Sequence, residues 1–215
     1  LPPGTIGPSQ LLRGGPLAGY FQPVEIRGPE GIEVSAAAEG QFASPQPAPA
    51  IFGMLIGPVY RLKITRIPRN EGCEVYPTIE VINRLYPPQG LENHFPIPVH
   101  FTLEELEMAL SGRLVTRVIY LEDPQAALPV RDTLDEQRYY EVRCDEDPLQ
   151  AADRLGRPVA IMRMGSRTPE FDSQLQRFLF DCPPLTKLAR PAPLPALRSG
   201  IEEVQPPVPR LDRSR

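Results

Sequence analysis

Alternation of apolar and polar residues dominates the middle of the chain. From Val59 to Thr65 the side chains Tyr60, Leu62 and Ile64 fall on one side of a two-residue period, with Arg61, Lys63 and Thr65 on the other, which predicts a half-buried strand. Glu74 to Ile82 repeats the pattern with Val75, Ile79 and Val81, and Asn70-Glu71-Gly72 supplies the turn between them. Pro77 removes a ladder donor from the second strand, so that strand is expected at a sheet edge or with a bulge.

The other elements are expected to cover this pair. Tyr20–Arg27 and Gly31–Ala36 predict two short strands around the turn Gly28-Pro29-Glu30-Gly31, and Ser44–Ala50 predicts a polyproline-like crossing. Ile51–Ile56 is a continuous apolar run suited to a fully buried strand. Phe95, Ile97, Val99 and Phe101 alternate with Pro96, Pro98 and His100, the pattern of an edge strand whose outer side does not pair. Thr102 and Glu105 form a capping box opening a helix from Leu103 to Ser111, with Leu103, Leu106 and Leu110 on one stripe and Gly112 stopping it. Leu114–Leu121 is β-branched on both faces and is a candidate for the sheet centre. Arg138–Arg143 predicts a further strand. Asp147, Pro148 and Gln150 open a second helix that ends at Gly156, and Pro158–Met164 is expected as the last strand. Phe171, Leu175, Phe178 and Leu179 then recur at helical spacing, which predicts an amphipathic helix over Thr168–Phe180 whose stripe must dock on something.

Proline changes the picture at both ends. The chain holds 29 prolines in 215 residues against a background of roughly 5%, and nine lie in the first 50 residues while eight follow Cys182. Such flanks cannot be regular helix or central strand. Residues 1–19 set Pro2, Pro3, Pro8 and Pro16 among five glycines with no apolar period. The expected organisation is an extended arm over 1–19, a β-rich core domain over 20–165, a docking helix over 166–182 and a proline-rich arm over 183–215. Arms of this composition do not offset their own ordering entropy, so other molecules are expected to hold them. Pro206-Pro207-Val208-Pro209 has the PxxP spacing that aromatic grooves accept, which adds Pro206 and Pro209 to the candidate partner contacts.

Charge excludes more than it suggests. The net charge is −4, and two lysines against 21 arginines leave no lysine-rich surface for a phosphate backbone, so a nucleic-acid partner is not expected. No run of about 18 apolar residues is present, so no membrane-spanning segment is expected. The chain begins at Leu1, a start that fits removal of an export signal or an incomplete sequence, and export is the expectation. Cys73, Cys144 and Cys182 can make one internal disulfide at most, match no zinc or redox spacing, and read as unrelated thiols.

Candidate chemistry is thin. Gly53-Met-Leu-Ile-Gly57 lacks the lysine and helix of a phosphate loop. His94 and His100 are the only histidines, and both read as structural or surface residues. Glu104, Glu105 and Glu107 read as a solvated helix face, and Asp145-Glu146-Asp147 as a helix start more than a calcium site. No enzyme, cofactor or metal is expected. Tyr76, Tyr86 and Tyr139 are the candidates for an alternative function, a periplasmic module binding a carbohydrate or peptide, although packing between strands accounts for each ring.

Gly19-Tyr-Phe-Gln-Pro-Val24, Val75-Tyr-Pro-Thr-Ile-Glu-Val-Ile82, Leu85-Tyr-Pro-Pro88 and Thr116-Arg-Val-Ile-Tyr-Leu-Glu-Asp-Pro124 together resemble a set of uncharacterised exported cell-envelope proteins of planctomycete-type bacteria. The resemblance covers roughly Gly19 to Gly165 and carries no known activity. It implies a periplasmic or cell-envelope location. The expectation is therefore a mainly β protein: a single β-sandwich-like domain with two short helices and long extended arms. Its expected role is a structural subunit of a multi-protein envelope assembly, touching neighbouring subunits through Phe171, Leu175, Phe178, Leu179, Pro206 and Pro209.

Overall fold

The computed structural model describes residues 2–12, 19–125, 127, 139–143 and 145–192. The chain runs through α1 (Ile6–Leu12), β1 (Phe21–Arg27), β2 (Glu33–Ala38), β3 (Gln41–Phe42), β4 (Gln46–Pro47), β5 (Ala50–Leu55), β6 (Val59–Thr65) and β7 (Thr78–Val81). It continues through β8 (Ile97–His100), α2 (Leu103–Leu110), β9 (Val115–Glu122), α3 (Pro148–Leu155), β10 (Gly156–Met164), β11 (Phe171–Asp172), β12 (Arg177–Phe178) and β13 (Leu185–Leu188). The protein is mainly β. One sheet has the order β13-β5-β1-β8, with β1 antiparallel to β5 and parallel to β8. A second, antiparallel sheet has the order β3-β2-β6-β7-β10-β9, with β4 also on β2. Strands β11 and β12 pair only with each other.

Both larger sheets feed one apolar core. Ile26, Phe52 and Val99 from the first and Leu62, Ile79 and Met162 from the second are all fully buried in it. Burying a side chain of this size stabilises the fold by about 1.5–3 kcal/mol, so these rows hold the sheets together. Tyr60, Leu62 and Ile64 point inward while Arg61, Lys63 and Thr65 stay half-buried, as the alternation requires.

The strand after Pro77 is not an edge. β7 lies between β6 and β10, and its register with β6 runs through Tyr60 opposite Ile79 to a bridge between Ile64 and Val75 without a bulge. Leu62 N donates to the Pro77 carbonyl at 2.9 Å, so the proline costs the ladder only its missing return bond. The β-branched run of β9 is correspondingly at an edge, not the centre. Its two apolar faces have different cover: Ile119 enters the main core, while Val118, like Leu149 of α3, packs against the small cluster of Ile6, Ile82 and Ile161. The turn Gly28–Gly31 makes no hairpin either, because β1 and β2 go to different sheets.

The edge strand β8 and both expected helices form as read. Thr102 N donates to Glu105 Oε2 at 3.0 Å and Glu105 N to Thr102 Oγ1 at 3.2 Å, the two halves of the capping box. Asp147 Oδ1 accepts from Leu149 N at 2.9 Å at the start of α3. The described part of the strand expected over Arg138–Arg143 is irregular, with Tyr139 and Tyr140 exposed.

The arms differ from expectation within the described residues. Instead of extending, residues 2–12 fold back, Ile6–Leu12 of them as α1, and Ile6 packs with Ile82 and Ile161. At the other end, β13 joins β5 as the outer strand of the first sheet. The Tyr60 hydroxyl accepts from Leu55 N and donates to the Pro184 carbonyl, both at 2.7 Å, and Arg190 pairs with the buried Glu25. Each flank is thus held by main-chain bonds to polar groups of the body, which a reading of side-chain hydrophobicity does not register. Residues 13–18 and 193–215, with Pro206 and Pro209, and Cys144 lie outside the described residues.

Candidate functional site

The segment expected as an amphipathic helix is a hairpin. Asp172 Oδ1 accepts from the amides of Gln174 and Leu175 at 2.8 and 3.0 Å, an Asx turn that competes with helix formation. Gln176 follows with φ 51, and Leu179 N closes the hairpin on the Glu170 carbonyl at 2.8 Å. From Arg177 to Cys182 exposed and half-buried residues alternate strictly, with Phe178, Phe180 and Cys182 on the inner side. A period of two, Phe178-x-Phe180-x-Cys182, competed in this stretch with the helical spacing of Phe171, Leu175, Phe178 and Leu179, and contact with Phe42 decides between them.

Phe42 on β3 is the hub. Its ring centroid lies 5.2 Å from Phe178, 5.3 Å from Phe180 and 5.6 Å from Tyr76. Phe178 and Phe180 stack at 5.4 Å with an 11° interplanar angle, and Phe171 meets Phe178 edge-on at 5.0 Å as its cross-strand partner. Aromatic pairs in these geometries contribute about 0.5–1.5 kcal/mol each beyond area burial. Main-chain bonds add to the anchor: Phe178 N donates to the Gly40 carbonyl at 2.7 Å, and Gly40 N to Cys182 Sγ at 3.2 Å. Gly40 has φ +77, and an added Cβ would lie 3.1 Å from Arg177 Cβ, so glycine suits both the turn and the close approach.

Cations border the cluster. The Arg61 guanidinium lies 5.7 Å from the Phe180 centroid and the Lys63 ammonium 5.7 Å from that of Phe42. Lys63 also pairs with Glu74 at 3.3 Å, and Tyr76 donates its hydroxyl to Glu74. Burial, then the hydrogen bond and charge of Glu74, push the Tyr76 phenol up to about 12.

Of the residues predicted to meet a partner, Phe171 and Phe178 share one face, Leu175 sits at the hairpin turn and Leu179 alternates outward. Phe171, Leu175 and Leu179 are 45%, 57% and 50% exposed, so the hairpin presents large apolar side chains to solvent while standing on a packed aromatic base. Sequence reasoning missed Phe42 and Phe180 in that base. The candidates Pro206 and Pro209 lie outside the described residues.

Other candidate chemistry has structural employment. His94 Nε2 is 3.2 Å from the Ala192 carbonyl, fastening the chain just beyond β13. Asp147 caps α3, Asp145 pairs with Arg143 at 3.3 Å and Glu146 pairs with Arg154, so the three acids diverge. Among the described residues no three His, Cys, Asp or Glu side chains converge as metal ligands. Cys73 and Cys182 are free thiols. The three candidate tyrosines take separate partners: Tyr76 joins Phe42, Tyr86 packs against Arg84 and Arg157, and Tyr139 is exposed. Arg84 is itself sandwiched between Tyr20, at 4.2 Å, and Tyr86, at 4.7 Å. Among the described residues no helix is long and apolar enough to cross a membrane. The chain matches no protein-family model, no curated protein and no solved structure.

Proposed function

We propose that this chain is a non-catalytic structural subunit of a larger protein assembly in the cell envelope, a sandwich-like body that meets a neighbouring subunit through the 171–180 hairpin. One observation carries the reading: Phe171, Leu175 and Leu179 stand exposed on a ten-residue projection whose inner face is locked to Phe42. A pre-ordered apolar projection loses little conformational entropy on docking, and large exposed apolar clusters on a polar-rimmed surface are the usual mark of a protein contact.

The test is a triple substitution, Phe171→Ser, Leu175→Ser and Leu179→Ser, in the tagged full chain purified from its own cells. Leu175 and Leu179 face solvent and Phe171 gives up its edge contact with Phe178, so the far-ultraviolet spectrum should match the parent's and stability should fall by no more than about 0.5–1.5 kcal/mol. Native mass spectrometry should find the parent in a higher-mass species and the triple variant as a monomer. An unchanged mass distribution for a folded variant overturns the proposal. Removal of the tail has to begin at residue 193, because cutting at 183 would delete β13 from its sheet.

A further inference from the structure

The N-terminal segment is gripped as a bound peptide is gripped. Gly4 N donates to Glu80 Oε2 at 2.9 Å, and Ile6 N and Gly7 N both donate to Glu80 Oε1 at 3.2 Å. Glu80 is fully buried at the middle of the second sheet, with Arg163 Nη1 at 3.4 Å from Oε2. A carboxylate that accepts main-chain amides at three positions of one short segment recognises backbone, not side chains. Two further features set the sequence it accepts. Ile6 plugs a recess formed with Ile82 and Ile161. Gly7 crosses Gly57 so closely that a Cβ on it would lie 2.4 Å from Gly57 Cα, a backbone clash no side-chain movement relieves.

All these determinants fall between Gly4 and Pro8, while the surface that reads them comes from β7, β10 and the turn between β5 and β6. The segment's outer side, Ser9, Gln10 and Leu12, is exposed. Residues 13–18, Arg-Gly-Gly-Pro-Leu-Ala, connect it to β1 through two glycines. Ligand and site therefore sit on one chain but are joined by a short connection with little side-chain content.

We propose that the cleft floored by Glu80 is a peptide-recognition site for the Gly4–Pro8 sequence, and that in the assembly it is filled by the segment of a second copy of this chain. The second clause rests on the subunit reading above. Exchange between copies keeps every contact, which makes it a low-cost route to association. Being on the same chain holds a copy's own segment at an effective concentration of the order of millimolar, so self-occupancy prevails in dilute solution and exchange needs copies packed side by side.

The test disables one half in each of two full-length chains. Gly7→Leu bars a segment from seating but leaves its cleft intact; Glu80→Ala keeps the segment but removes the acceptor. Each alone should be monomeric, and an equimolar mixture should form a 1:1 heterodimer by native mass spectrometry. A mixture of folded, monomeric chains overturns the exchange. Should Glu80→Ala not fold, a fluorescent peptide of residues 1–12 is titrated onto the Gly7→Leu chain, where saturable 1:1 binding is expected, weakened at least tenfold by Gly7→Leu in the peptide. Should neither variant fold, the same two peptides compete with the parent chain's own segment, and the native peptide alone should be incorporated. Absence of saturable binding, or equal binding of both peptides, overturns the site itself. The triple substitution in the hairpin leaves this segment untouched, so failure here and failure of the subunit reading are separable.

Discussion

Replacing Tyr60 by phenylalanine tests how the C-terminal strand is fastened to the core. The Tyr60 ring is 2% exposed, and its hydroxyl joins Leu55 N to the Pro184 carbonyl at 2.7 Å each. Removing it leaves the Leu55 amide without that acceptor, whereas the exposed Pro184 carbonyl can turn to water. An orphaned partly buried donor costs about 1–3 kcal/mol, so Tyr60→Phe should destabilise the protein by about 2 kcal/mol at pH 7. Burial raises the phenol to about 12, against 10.0 for an ordinary tyrosine. The raised value means the native state holds its proton where the unfolded state has lost it. The contribution is therefore fully present below pH 10 and is lost as pH rises towards 12. Linkage puts the loss at about 1.4 kcal/mol by pH 11 in the parent and at zero in Tyr60→Phe. Urea unfolding at 25 °C, at pH 8 and at pH 11, should find the gap between the two proteins narrowing from about 2 to about 0.6 kcal/mol. Other tyrosines titrate in both proteins and cancel in the comparison. Equal midpoints at pH 8, or a gap unchanged at pH 11, would refute the assigned role.

Thr102→Ala removes the hydroxyl that accepts from Glu105 N while leaving the residue 102 amide on the Glu105 carboxylate, and should cost about 1 kcal/mol in urea unfolding with little change in slope. Gly156→Ala places a Cβ 1.9 Å from the Leu121 carbonyl oxygen, across the β9–β10 pairing, and should cost about 3 kcal/mol or more by calorimetry. A cost under 1 kcal/mol would mean that the two strands separate easily. Glu80→Gln substitutes an amide for an acceptor that takes three N–H groups, and hydrogen exchange at Gly4, Ile6 and Gly7 should accelerate at least tenfold while β6 amides stay protected. Lys63→Met keeps much of the side-chain stem over Phe42 but removes the charge beside Glu74, and should change stability by less than about 1 kcal/mol.

Where a stretch carried its own local signal, the sequence was enough to place an element. The alternation through Val59–Thr65, the apolar run of β5, the prolines of β8 and the caps at Thr102 and Asp147 each report a neighbour a few residues away, and each formed. Strand order did not follow, because which strand lies beside β7 or β9 depends on partners far along the chain. The candidate surface was half legible: Phe171, Leu175, Phe178 and Leu179 were recognisable as apolar residues seeking contact, but helix and hairpin spacings fit them equally until Phe42 was brought beside Phe178. The two flanks were the least legible. Their composition lacks side chains for a core, yet Glu80 reaches amides more than 70 residues earlier in the chain and Tyr60 a carbonyl 124 residues later. Local patterns decide what a segment can become; only folding decides which buried polar group will meet its main chain, because every residue except proline offers the same N–H and every residue the same carbonyl.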